Sequence, residues 1–244
     1  MSVGNEGAID KGDFVLITYT GFLKDTNEIF DTTDEDVAKT SGLYDSNAKY
    51  GPTLIIVGEG RVIKGLEESL IGHKEGDEYE VEIPPEKGFG IRDSKKLVTT
   101  TIKKLRESGI KDEITVGKIL NIDGKPAIVR AVVSGRVMLD FNPPLAGKYL
   151  KYRVKVVKRI SSLEEKIIEL IRSTDQEFLN AIKEYKIDVN EGTLIINLED
   201  KSINNPKLHL AKKVVGERIL KCISEIKRLR FIEEISHQVA LKQS

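Results

Sequence analysis

Short apolar runs alternate along the first third of the chain with stretches rich in Gly, Asp and Pro. The run "DFVLITYTGFL" (13–23) is dense in β-branched and aromatic residues, which predicts a strand. "NEIFDTT" predicts a second, shorter strand, and the polar stretch from Asp34 to Pro52 predicts a long loop. "TLIIV" (53–57) has the continuous apolar character of a buried strand. Just beyond it, Val62, Ile63 and Leu66 have the spacing of one face of a single helical turn, fenced by glycine on both sides and too short for an ordinary core helix. "DEYEVEI" (77–83) alternates with period two, the sign of a half-buried strand, and "PPEKGFG" turns the chain sharply.

From about Arg92 the pattern changes. "TTTIKKLRESGI" predicts a short helix with Thr101 as its N-cap and Gly109 as its stop. "GKILNIDGKPAIVRAVVSGRVMLDF" predicts strands joined at the hairpin signals Asp123-Gly124 and Ser134-Gly135. "YLKYRVKVVKRI" (149–160) alternates for a full strand length. Beyond Ser161 the chain becomes helical: "SSLEEKIIELIRS" opens with a capping-box arrangement and "DQEFLNAIKEYKI" continues as helix. Two strands, "GTLIINL" and "LRFIEEI", flank a long helix whose Leu208, Leu210, Ala211, Val214, Val215, Ile219 and Ile223 are expected on one buried face. Two strands are marginal alone, so a homodimer completing the sheet is expected from this C-terminal unit.

Composition narrows the function classes. Lys plus Arg and Asp plus Glu both total 39 in 244 residues, so no global field favours nucleic acid. No apolar run approaches the roughly 18 residues of a membrane span, so no membrane partner is expected. The start "MSVGNEGAIDKGD" lacks the pattern of a signal peptide, and one cysteine, Cys222, permits no intramolecular disulfide; a cytosolic protein is expected. Cys222, within the apolar pattern of the long helix, is expected to be buried. His73, His209 and His237 share no metal-ligand spacing, and neither metal nor cofactor is expected.

Taken in order, "TYTGFL", "IFDTT", "GEGRVIKGLEESLIGHKEGD", "PPEKGFG" and "LAGKYLKYRVKVV" resemble the FKBP-type peptidyl-prolyl isomerases over about residues 11–159. The pattern is most similar to the SlyD-like subgroup, in which a second small domain interrupts the isomerase domain. The whole chain looks like the long archaeal form with an extra C-terminal domain. This resemblance implies an α+β fold: an antiparallel sheet wrapped on a short helix, with an inserted small β-rich domain and a C-terminal α/β domain. The implied divisions are 1–91 with 138–159 for the isomerase, 92–137 for a client-binding insert, and 160–244 for the C-terminal unit.

The resemblance also implies a pocket whose floor is the first turn of the short helix, with Val62, Ile63 and Leu66, and whose walls are Tyr19, Phe30, Asp31, Phe89 and Tyr152. Leu66 stands where relatives often carry an aromatic residue. Phe89 stands where many carry a tyrosine whose hydroxyl bonds a substrate carbonyl, so that donor is missing here. Taken singly, each residue has a plainer reading: Val62, Ile63 and Leu66 as core, Tyr19 and Tyr152 as core aromatics, Asp31 as a strand end or turn cap. The implied activity is cis-trans isomerisation of X-Pro bonds in unfolded or proline-containing polypeptides, with holdase-type chaperone activity from the insert. The alternative is a binding module or scaffold that holds such chains with little turnover. The nickel-binding tail of many SlyD-like proteins is not implied, because the chain ends "SHQVALKQS".

Overall fold

The fold is that of a computed structural model in which residues 7–199 and 205–234 are described. His237 lies outside them. In chain order the elements are β1 (Phe14–Leu23), β2 (Ile29–Thr32), α1 (Glu35–Ser41), β3 (Thr53–Ile56), α2 (Lys64–Ser69) and β4 (Glu78–Ile83). Then come β5 (Leu97–Thr101), α3 (Ile102–Glu107), β6 (Ile119–Ile122), β7 (Lys125–Val133), β8 (Arg136–Asp140) and β9 (Leu150–Ile160). The chain continues through α4 (Leu163–Thr174), α5 (Gln176–Asn180), β10 (Ile182–Asp188), β11 (Thr193–Leu198), α6 (Pro206–Cys222) and β12 (Arg228–Glu233).

Three sheets result. The first is antiparallel, with β1 at its centre: β9 pairs along one edge, while β3 and β2 share the other end to end, and β4 closes on β9. Period-two alternation sends Val15 and Ile17 to one face, where they pack with Leu66 and Leu70 of the α2 segment. Phe14 and Leu16 point the other way, into a cluster with Ile167, Leu170 and Ile171 of α4 and Val215 and Ile219 of α6. One extra residue on β9, Val157, lies between the Ile17–Val156 and Leu16–Lys158 pairs. This bulge reverses the alternation, so Val154 and Val156 face α2 whereas Ile160 joins the opposite cluster. The C-terminal unit therefore buries the back of the isomerase-like sheet instead of closing a separate core.

The second sheet, β5-β8-β7-β6, has its own small core of Leu105, Leu120, Ala127, Val129, Val137 and Leu139. Both hairpin signals are met: Asp123-Gly124 and Ser134-Gly135 all take positive φ. Thr101 caps α3 by accepting from the Lys104 amide. β8 continues to Asp140 and pairs with β5, a strand with no counterpart in the sequence reading, so this sheet runs past residue 137. The two chain crossings into the insert are stapled together. Asp93 N–H donates to Asn142 at 2.9 Å and Asn142 donates back to the Asp93 carbonyl at 3.0 Å. Asp140, fully buried, accepts from Asn142 and pairs with Arg130 and Arg92.

Four expectations are corrected. The stretch 34–52 is not all loop: Asp34 accepts from the Asp36 and Val37 amides and starts α1, which ends at Gly42 in the left-handed region. Only Ala38 of α1 is buried, so there was no apolar periodicity to read. "IKEYKI" is not helical; α5 stops at Asn180 and β10 pairs with β11, giving a three-stranded sheet with β12 parallel to β11. On α6, Leu208, Ala211, Val215, Ile219 and Ile223 are buried, but Leu210 (66% exposed) and Val214 are on the solvent side. Finally, Cys222 is only partly buried.

Gly65 shows how tightly α2 sits on the sheet. A Cβ there would overlap Ile83 Cγ2 and lie 3.0 Å from its Cγ1. Gly65→Ala is therefore expected to overpack this contact and cost about 1–3 kcal/mol, read as a lower urea midpoint at unchanged slope.

Candidate active site

Five segments bring their side chains to one end of the first sheet. Tyr19 and Gly21 come from β1, Phe30 and Asp31 from β2, and Tyr152 from β9, where it pairs with Gly21. On β2 the register jumps from Gly21–Asp31 to Phe22–Ile29, which leaves Phe30 as a bulged residue without a partner. A bulge re-aims its side chain, and here it turns the Phe30 ring over β1 onto Tyr152. The vacancy that admits both rings is Gly21. A Cβ at that position would lie 2.9 Å from Phe30 Cζ and 3.0 Å from Tyr152 Cε1.

Two of the three aromatic contacts run edge to face and the third is tilted. Phe30 meets Tyr152 at 5.7 Å and 86°, Phe89 meets Phe30 at 6.1 Å and 80°, and Tyr19 meets Tyr152 at 5.6 Å and 59°. Tyr152 is buried, whereas Phe89 is 37% exposed at the rim, held on a turn closed by the Gly90 amide bonding the Pro85 carbonyl at 2.8 Å. Val62 and Ile63 pack half-buried against the same core. They precede α2 instead of forming its first turn: Ile63 is extended (φ −59°, ψ 142°) and caps the helix through its carbonyl, which accepts from Leu66 and Glu67. Leu66 is buried beneath them, so it supports the floor without facing solvent.

One carboxylate sits in this apolar ring. The Tyr19 hydroxyl donates to Asp31 Oδ2 at 3.1 Å. Burial raises the Asp31 carboxyl above its ordinary value, and hydrogen bonds from Tyr19 and the Thr32 backbone only partly offset this. Burial, and then the Asp31 charge, push the Tyr19 hydroxyl up strongly; Tyr152 is raised for the same two reasons. Both phenols thus stay protonated donors throughout the physiological range. His73 stands apart, stacked on Tyr79 at 3.7 Å and bonded to Asp77. No group of His, Cys, Asp and Glu among the described residues could hold a metal ion.

Comparison with known proteins decides the family. The FKBP-type peptidyl-prolyl cis-trans isomerase family matches residues 5–105. A short-type peptidyl-prolyl cis-trans isomerase of Methanocaldococcus jannaschii is 38% identical over 148 residues, which is 61% of this chain and 92% of the relative. The chain belongs to the FKBP-type peptidyl-prolyl cis-trans isomerases. The FKBP-type isomerase SlyD of Helicobacter pylori is 29% identical over 130 residues, 53% of this chain and 70% of its own. An FKBP-type 16 kDa isomerase of Escherichia coli is 27% identical over 118 residues, 46% of this chain and 77% of its own. The chain is an isomerase of this family. No helix among the described residues is long and apolar enough to cross a membrane.

Sequence reading passes over Gly21, although a glycine inside an apolar strand pattern signals a close approach. It also passes over Glu59, whose partner is 159 residues away.

Two outcomes follow from this geometry. Gly21→Ala should separate Phe30 from Tyr152, lowering turnover of a proline tetrapeptide in protein that still folds, at a stability cost of about 1–3 kcal/mol. Turnover should also stay flat through the histidine range near pH 6.5, and fall only on the acid side as Asp31 protonates, above the ordinary aspartate value of about 3.9. A pH profile on folded protein checks this.

Proposed function

We propose that this isomerase acts on X-Pro bonds in unfolded or partly folded polypeptides. In this reading the prolyl ring rests on Val62 and Ile63, with Leu66 beneath and Tyr19, Phe30, Phe89 and Tyr152 as walls. What supports it is the cluster of Tyr19, Phe30, Phe89 and Tyr152 rings beside a carboxylate already bonded to Tyr19, with Val62, Ile63 and Leu66 in the hydrophobic core that Phe30 and Tyr152 share. Rotation about the bond must cross a barrier of roughly 18–20 kcal/mol, because planarity carries amide resonance. Water stabilises the planar, charge-separated form through the carbonyl; an aromatic-lined site removes that water and favours the twisted form. Catalysis is then differential binding of the twisted amide, requiring no nucleophile. Asp31 fixes the Tyr19 hydroxyl, and its negative charge near the substrate carbonyl opposes the oxygen charge that the planar, resonance-stabilised amide carries, which biases the bond towards the twisted form. Phe89 supplies an apolar edge and no hydroxyl donor.

The proposed division of labour assigns turnover to the isomerase unit, 1–92 with 143–159, client holding to the insert, whose last strand β8 reaches Asp140, and the C-terminal unit to the back of the sheet. The insert carries a groove of about 750 Å³ lined by Val98, Ile119, Ile122, Pro126, Ile128 and Phe141, with Lys95, Lys96 and Lys125 around it. Ile119 on the edge strand β6 is 61% exposed. An extended chain can add to such an edge through its backbone while apolar side chains enter the groove.

Deleting the insert tests this. The ends lie together, with the Gly147 amide bonded to the Gly90 carbonyl at 2.8 Å, so a short Gly-Ser loop can replace Asp93–Asn142. Loop closure costs little there. Two tethered weak sites raise apparent affinity by roughly 10²–10⁴. Tetrapeptide turnover should survive the deletion, while catalysis of proline-limited refolding and suppression of aggregation should fall much further. An equal fall in both rates would make the insert structural.

A further inference from the structure

The loop entering the proposed pocket floor, Gly58-Glu59-Gly60-Arg61, carries one backbone bond, from the Glu59 amide to the Ile56 carbonyl at 2.9 Å. Glu59 is flanked by two glycines at φ 99° and 75°, residues that leave the chain many conformations. Two side chains tie it down. Glu67 of α2 accepts from the Gly60 amide at 2.9 Å. Glu59 itself reaches away from the pocket to Arg218 on α6, which donates from Nε and Nη2 to both carboxylate oxygens at 2.8 Å each.

Arg218 is only 7% exposed, and its Nη1 is engaged as well. Nη1 bonds Ser173 Oγ at 2.7 Å and Thr174 Oγ1 at 2.8 Å at the end of α4. The guanidinium is therefore fixed from behind before it grips Glu59. Burial alone pushes the Glu59 carboxyl up, but the bonds and charge of Arg218, with Arg61 and Lys221 behind, outweigh it and hold the group below its usual value.

We propose that Arg218 is a positioning residue for the prolyl pocket: through Glu59, the C-terminal unit sets the Gly58–Gly60 turn and thereby the placement of Val62 and Ile63. This rests on the pocket reading above and extends it, because a residue of the C-terminal unit becomes part of the catalytic apparatus without touching substrate. The plainer role, a clamp that only holds two units together, makes a different prediction. A clamp acts on the folded fraction, whereas a positioning residue acts on each folded molecule.

The test uses the full chain. Arg218→Met alone leaves a buried carboxylate without a partner and should lower the unfolding midpoint. Glu59→Gln/Arg218→Met removes both charges and should recover much of it, since the penalty comes from the unpaired charge. At a temperature where this double variant is fully folded, kcat/KM for a proline tetrapeptide should remain roughly 3- to 30-fold below the parent, the range coupling through a packed network reaches. The loss should lie mainly in KM, because the floor contacts the ring in the ground state as well. A kcat/KM within twofold of the parent overturns the proposal. Should the double variant not fold, Glu59→Gln, which leaves Arg218 bonded to Ser173 and Thr174, is read by the same criterion. Ile63→Ala in the intact chain separates the two readings. Reduced turnover there with a normal double variant removes Arg218 alone; unchanged turnover there removes the pocket reading and this inference together.

Discussion

The structure depends on β1 being buried on both faces. Val15 and Ile17 press against the α2 segment, while Phe14 and Leu16 press against α4 and its neighbours. A half-exposed strand needs apolar residues at alternate positions only, but "FVLI" is apolar at four in a row. Removing either layer would strip cover from a strand that also carries Tyr19 and Gly21. The pocket thus hangs on a strand whose other side belongs to the C-terminal unit, and the long-range Glu59–Arg218 pair follows the same route across the sheet.

At the pocket end, space decides more than charge. Gly21 contributes no atoms, yet it determines how closely Phe30 and Tyr152 approach. The Phe30 bulge supplies the direction and the glycine supplies the room. The one carboxylate among the proposed wall residues, Asp31, is already engaged by Tyr19, so the ring offers an apolar surface with one local field instead of a set of competing charges. That suits a reaction in which no proton or electron pair changes owner.

Much of this was legible in the sequence because short, ordered motifs carried it. β4 and β9 follow from alternation, β1 from its density of β-branched and aromatic residues and β3 from its continuous apolar run, and both insert hairpins follow from turn pairs that tolerate positive φ. The proposed site residues are suggested by the sequence only as a set, through their order; singly, Tyr152 reads as core, and it is buried. What escaped has identifiable causes. α1 is held by an Asp34 cap and buries a single residue. β10 is an edge strand with exposed Lys183, Glu184 and Lys186, a composition that reads as helix until β11 pairs with it. The Glu59–Arg218 pair spans most of the chain, and no local pattern announces a partner at that distance.

The pairing of β1 with β9 has a consequence for how the molecule comes into being. Phe14 pairs with Ile160 and Gly21 with Tyr152, so the central ladder joins residues separated by the whole insert. At roughly 5–20 residues per second of synthesis, β1 waits on the order of ten to thirty seconds for its partner strand. Throughout that interval it is an apolar segment with an unpaired edge. The insert, whose contacts are local, can close first, while the isomerase sheet must wait for its last strand. Until β9 emerges, the isomerase is itself an extended chain with an apolar edge open to whatever it meets.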